Sequence, residues 1–102
     1  MDEENSLIEE KLPSYLPIEQ CEHRGIYRID SRNLSIGVFD AKKNGFIGIR
    51  EKWGERYLFT EWHWDTGEPF GTVKPQEKIG VLPDEIELAE TESALFNFLK
   101  KM

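Results

Sequence analysis

The sequence predicts a mainly β fold, either a small, strongly bent antiparallel sheet or a partly open barrel of four to five strands, with short terminal helices. Apolar and polar residues alternate with a period of two along much of 25–65, which is typical of half-buried strands. Turn-forming dipeptides such as Asn44-Gly45 and Gly54-Glu55 separate the alternating runs. Gly37 and Gly48 interrupt two of the runs, and glycine within a strand indicates a bend or the close approach of another segment.

The N-terminal part is predicted to hold a short amphipathic helix over residues 2–12, ended by Pro13, because proline disfavours helix in the residue before it. Strands follow at 25–30, 35–40, 46–53 and 56–65. A four-residue loop at 41–44 and a two-residue turn at 54–55 join the last three of them.

The C-terminal part is predicted to add two short strands and a helix. The strands cover 71–74 and 78–82, and each is followed by a proline. Thr91 is the expected N-cap of the helix, with an apolar stripe of Leu95, Phe96 and Leu99.

Both hairpin registers place the same apolar side chains on one face of the sheet. The 54–55 turn pairs Ile49 with Thr60, and the 41–44 loop pairs Val38 with Ile47. A two-residue period fixes the face of every side chain in a strand, so the shared face is interpreted as the core. Its members are Ile36, Val38, Ile47, Ile49, Leu58 and Trp62. The reverse face, predicted to be exposed, carries Phe39, Phe46, Arg50, Lys52, Tyr57, Phe59, Glu61 and His63.

Short, glycine-bent antiparallel strands of this kind favour an SH3-like partly open barrel. The alternative is an α+β sheet covered by the C-terminal helix. The chain is read as one domain, because 102 residues leave no room for a second core. It divides into an acidic N-terminal segment (1–20), a β-barrel-like body (21–83) and an acidic C-terminal segment with the short helix (84–102).

Charge is distributed unevenly along the chain. The net charge is −7, but residues 23–82 hold ten bases and eight acids, so this body is mildly basic between acidic ends. No apolar run approaches the ~20 residues of a membrane span. Cys21 is the only cysteine and the first residues are acidic, so we expect a cytoplasmic protein that does not contact membranes.

The run Glu61-Trp62-His63-Trp64-Asp65 is the part of the sequence closest to a chemical site. Alternation puts Glu61, His63 and Asp65 on one strand face. Neighbours on that face lie about 6.5 Å apart, and the two carboxylates about 13 Å apart. All three therefore cannot bind one ion on a regular strand. They are weak catalytic candidates, and neither a metal nor a cofactor is predicted.

The reverse face predicts a binding surface. Tyrosine, phenylalanine and arginine dominate interface energies, and we expect Phe46, Arg50, Lys52, Tyr57, Phe59 and His63 to bind another protein or a second copy of this chain. The sequence thus favours a small non-enzymatic protein-binding module, with the character of a bacterial or phage inhibitor, immunity or anti-defence protein.

Two alternatives stay open. The first is a small nucleic-acid-binding barrel, because aromatics interleaved with bases stack on single strands while neutralising phosphate. The second is a small metal-dependent or acid–base enzyme centred on His63.

Overall fold

A computed structural model describes residues 15–102, and the helix predicted over 2–12 lies outside them. The described part is mainly β, as predicted, and forms a five-stranded ring with one short helix. A 3₁₀ turn, Ile18–Gln20, precedes the ring. The strands are β1 (Gly25–Asp30), β2 (Ile36–Asp40), β3 (Gly45–Lys52), β4 (Glu55–His63) and β5 (Gly71–Val81), and the helix is α1 (Ser93–Lys100). None of the helices within residues 15–102 has the length and apolar character needed to cross a bilayer.

The ring is a mixed sheet, whereas the sequence predicted a wholly antiparallel one. Strands β1 to β4 form an antiparallel meander, and β5 returns antiparallel to β1. At its start β5 also runs parallel to the end of β4, where Trp62 pairs with Gly71 and His63 with Val73. This short parallel seam closes the ring.

Strand β5 is continuous where two short strands were predicted around Pro75. The register against β1 shifts between Arg28, which pairs with Glu77, and Ile29, which pairs with Pro75. Proline has no N–H to donate to a regular ladder, so within a sheet it is tolerated at an irregularity such as this one. The Pro75 carbonyl accepts a hydrogen bond from the Leu16 amide at 2.7 Å.

The turn between β3 and β4 is Trp53-Gly54, one residue earlier than predicted. Lys52 pairs with Glu55 and Ile49 with Leu58, so each pairing moves by two residues and every side chain keeps its predicted face. Both turn residues have positive φ, and glycine meets that requirement better than Glu55 does. The other hairpin is confirmed, with Val38 opposite Ile47.

The predicted apolar face is the outer face of the ring and packs beneath the C-terminal segment. Leu95 and Leu99 of α1 are buried in the same cluster as strand residues. The helix N-cap is Glu92, whose carboxylate accepts from the Ala94 amide at 3.1 Å, in place of the predicted Thr91. The buried members of this outer core are Ile26, Val38, Ile47, Leu58, Leu82, Leu95 and Leu99.

The reverse face points into the ring, so the prediction that all of it is exposed is wrong. Phe46 and His63 are both fully buried. Closure is the reason, because a small closed sheet fills its interior with side chains. The inner core comprises Tyr27, Ile29, Leu34, Phe39, Phe46 and Val73, with Leu16, Ile18, Cys21 and Phe59 packed against it.

Candidate functional site

His63 is fixed inside the ring by contacts to both of its nitrogens. The Asp65 amide donates to Nδ1 at 3.2 Å, so the neutral ring carries its proton on Nε2, which donates to the Leu16 carbonyl at 3.0 Å. The ring also stacks on Trp64, with centroids 5.4 Å apart. These contacts give His63 a structural role, tying residues 15–21 to the end of β4.

The three weak catalytic candidates do not share one strand face. Strand β4 ends at His63, and Asp65 lies exposed in the turn that follows. Glu61 is buried on the inner face, but its carboxylate accepts hydrogen bonds from residues other than His63. Within residues 15–102, no group of three or more His, Cys, Asp or Glu side chains is placed to hold a metal ion.

Glu61 is the more deeply buried of the two buried acids in the strands of the ring, 2 % exposed against 6 % for Asp40. Ser31 Oγ donates to its Oε1 at 2.6 Å, while Thr72 Oγ1 and Asn33 Nδ2 donate to its Oε2 at 2.8 and 3.3 Å. A buried carboxylate needs such donors, because without them the transfer of its charge out of water costs several kcal/mol of folding free energy. The carboxylate therefore connects the β1–β2 loop, β4 and the start of β5.

A surface cavity of about 470 Å³ opens above Glu61. Two arginines, a polar pair and an exposed aromatic surround it. Phe70 is 54 % exposed and stacks on Trp62, with ring centroids 6.2 Å apart. The lining residues are Arg32, Asn33, Arg50, Glu61, Phe70 and Thr72.

The outer part of the β3–β4 hairpin keeps the rest of the reverse face at the surface. Tyr57 and Phe59 are half-buried and Lys52 is exposed. Arg50 lies over Phe59, its guanidinium carbon 4.6 Å from the ring centroid, and Tyr57 meets Phe59 edge-on at 6.3 Å. We call Arg50, Lys52, Tyr57 and Phe59 the hairpin surface. These are four of the six residues predicted to bind a partner, and Phe46 and His63 lie too deep to contact one.

Sequence reasoning missed Ser31, Asn33 and Thr72, which hold Glu61. No pattern signals them, because the β1–β2 loop and β5 are distant from Glu61 in sequence. It also missed Trp53, the most exposed large apolar side chain among residues 15–102, at 90 %. The sequence did contain a signal for this residue, because Trp53 directly precedes Gly54, the first residue of the turn predicted at 54–55.

Cys21 packs against the inner core. Burial, with a smaller effect from Glu19, raises the pKa of its thiol to about 11. The His23 ring faces elsewhere and accepts at Nδ1 from the Ala41 amide, 3.0 Å away. A nucleophilic cysteine needs a depressed pKa, so this arrangement disfavours thiol chemistry.

Comparison with protein-family models, with curated proteins and with solved structures gives no match. The hairpin surface and the adjoining cavity are therefore the features that bear on the function of this chain.

Proposed function

We propose that this chain is a non-enzymatic protein-binding module whose partner contacts the hairpin surface. The observation that carries the proposal is the assembled group of Arg50, Tyr57 and Phe59. The cation–π contact at 4.6 Å fixes the guanidinium in advance of binding. Preorganised side chains of these types lose little entropy on binding and supply much of the binding energy at interfaces.

The charge around this surface supports a partner with an acidic face. Arg50 and Lys52 lie on it, and Arg32 lines the adjoining cavity. Glu55, opposite Lys52, and the enclosed Glu61 are the acids nearest to them on this strand face. Complementary charge accelerates association and selects partners, so acidic proteins are favoured.

The test is capture from a lysate of the source cells, followed by titration. Wild type is immobilised, a protein that it retains is purified, and the affinities of that protein for wild type and for Phe59→Ser are measured by calorimetry. We expect the serine variant to weaken binding by about thirtyfold, as loss of a hot-spot residue does. Val81→Thr is the matched control, because Val81 is an exposed apolar residue of β5. Equal affinities for wild type and Phe59→Ser contradict the proposal.

Nucleic-acid binding is the second candidate, favoured by the cavity in which Arg32 and Arg50 adjoin the exposed Phe70. Aromatics beside cations bind single strands with an affinity that falls steeply with salt. Fluorescence anisotropy of a labelled oligonucleotide, repeated at rising salt, tests this candidate. Salt-sensitive binding lost in Phe70→Ser and Arg32→Ala supports it and displaces the protein-binding proposal.

An inhibitor, immunity or anti-defence role stays a proposal about biological context. Such proteins act by covering a functional surface of their target. An activity assay of the captured partner tests this role. If the partner is an enzyme whose activity falls when this chain binds it, the role is supported.

A further inference from the structure

The turn at the tip of the β3–β4 hairpin contains a tryptophan, Trp53, at a position where large side chains are rare. Trp53 has a φ of +54° and Gly54 a φ of +79°, and Lys52 pairs with Glu55 across them. Positive φ at both central residues defines a type I′ turn, in which Asn-Gly is a favoured pair. Left-handed backbone is sterically costly for a bulky side chain and much less so for asparagine or glycine.

Trp53 gains no burial in return for this conformation. Its side chain is 90 % exposed, and the contact found for it among residues 15–102 is the Lys52 ammonium, 4.9 Å from the ring centroid. An exposed ring at a strained position does not stabilise the fold. Strain retained without structural benefit points to function.

We propose that Trp53 is the anchor residue of the interface and inserts into an apolar pocket of the partner protein, bordered by acidic side chains. The inference rests on the proposed function, because Trp53 extends the hairpin surface beyond Lys52 and Arg50. Tryptophan is enriched among residues that dominate binding energy and fills pockets at interface centres. The Lys52 ammonium against its ring supplies the cation that the acidic border complements.

The inference separates stability from binding. Trp53→Asn replaces the ring with a side chain suited to a type I′ turn, so the urea midpoint of the variant is expected to rise. Its affinity for the captured, purified partner is expected to fall about thirtyfold. A purely structural role for Trp53 predicts the reverse pair, a lower midpoint with unchanged affinity.

Photo-crosslinking locates the pocket. With p-benzoylphenylalanine in place of Trp53, irradiation in the presence of the purified partner is expected to give one cross-linked product. Mass spectrometry of that product is expected to map the link to apolar residues flanked by aspartate or glutamate. A link to scattered polar residues, or only to a second copy of this chain, overturns the assignment.

The variants distinguish failure of this inference from failure of the proposed function. If Phe59→Ser loses the partner while Trp53→Asn retains it, the hairpin surface binds and Trp53 is not its anchor. If both variants bind as wild type does, both proposals fail. If wild type captures no protein, both fail as well.

Discussion

Glu61 shows how a single buried acid can organise three separate parts of a small ring. Three donors from the β1–β2 loop and β5 reach its carboxylate, and hydrogen bonds to a charged group contribute about 1.5–3 kcal/mol each. The side chain thus ties the β1–β2 loop to β4, which is not its neighbour in the sheet, and adds to the two-pair ladder between β4 and β5.

Glu61→Gln is expected to lower the free energy of unfolding by about 2 kcal/mol. The NH2 group of the glutamine donates where the carboxylate accepted. Turned towards Asn33 Nδ2 it meets another donor, and turned towards Ser31 Oγ it meets an oxygen that already accepts from the Asn33 and Leu34 amides. Urea denaturation measures the change. Glu68→Gln is the control, because Glu68 is exposed. A glutamine variant as stable as wild type contradicts the role assigned to the carboxylate.

Cys21 is expected to react slowly with iodoacetamide in the folded protein. Its folded pKa, about 11 against a reference of 9.0, means about a hundredfold less thiolate at pH 7 than in the unfolded chain. The comparison is the alkylation rate with and without urea. Similar rates in both states contradict the shift.

The raised pKa of Cys21 also makes the free energy of unfolding depend on pH, in a direction that can be predicted. Between pH 9 and 11 the folded thiol keeps its proton while the unfolded thiol loses it. The unfolded state then binds fewer protons, so this group makes stability fall as pH rises through that window. Cys21→Ser is expected to reduce the slope of stability against pH there, measured by urea denaturation at several pH values.

At the scale of the elements, the strand glycines allow the close approach that the sequence predicted. A Cβ on Gly48 would overlap the Ile36 carbonyl oxygen, a backbone atom that cannot yield easily. A Cβ on Gly80 finds its nearest neighbour at 3.6 Å, an ordinary contact. The two positions therefore form a matched pair.

Gly48→Ala is expected to destabilise the protein by about 1–3 kcal/mol, the cost of overpacking. Gly80→Ala is expected to leave stability nearly unchanged. Urea midpoints of the two variants give the comparison, and equal midpoints contradict the packing described for β2 and β3.

Helix α1 is expected to contribute to the stability of the fold through its buried leucines. Leu95 is fully buried in the outer core, so Leu95→Ala is expected to cost about 2–5 kcal/mol. Asn97→Ala, an exposed change on the same helix, controls for helix propensity. Thermal unfolding of both variants is the measurement, and an unchanged melting temperature for Leu95→Ala means that α1 packs weakly.

Side-chain faces were predictable from sequence, whereas exposure was not. The period of two assigned Ile47 and Phe46 correctly to opposite faces, because the assignment depends only on local backbone geometry. Whether Phe46 is buried depends on β5 closing the ring, which is a long-range event. Glu61 was assigned to the reverse face but predicted to be exposed, and its donors come from segments that only the fold brings near.

At the scale of the whole molecule, the seam between β4 and β5 is the weakest join of the ring. Two register pairs with a shift between them form it, whereas eight regular pairs join β3 to β4. Regions with few backbone hydrogen bonds open locally at low free energy.

The amides of the seam are therefore expected to exchange with deuterium faster than those of the β3–β4 ladder. The Trp64 amide, bonded to the Val73 carbonyl at 3.0 Å, is the reporter for the seam, and the Gly48 amide, which faces β4, is the reference. Exchange resolved by NMR tests the expectation. Equal protection of both amides means that the ring opens only by global unfolding.

A ring with one weak join also carries a risk of self-association. Opening at the parallel join leaves two bare strand edges, and an unpaired edge is a template for strands of a neighbouring molecule. Brief warming below the melting transition then favours intermolecular β-addition through β4 or β5. A cross-link that locks those two strands together would protect against such polymers without altering the hairpin tip.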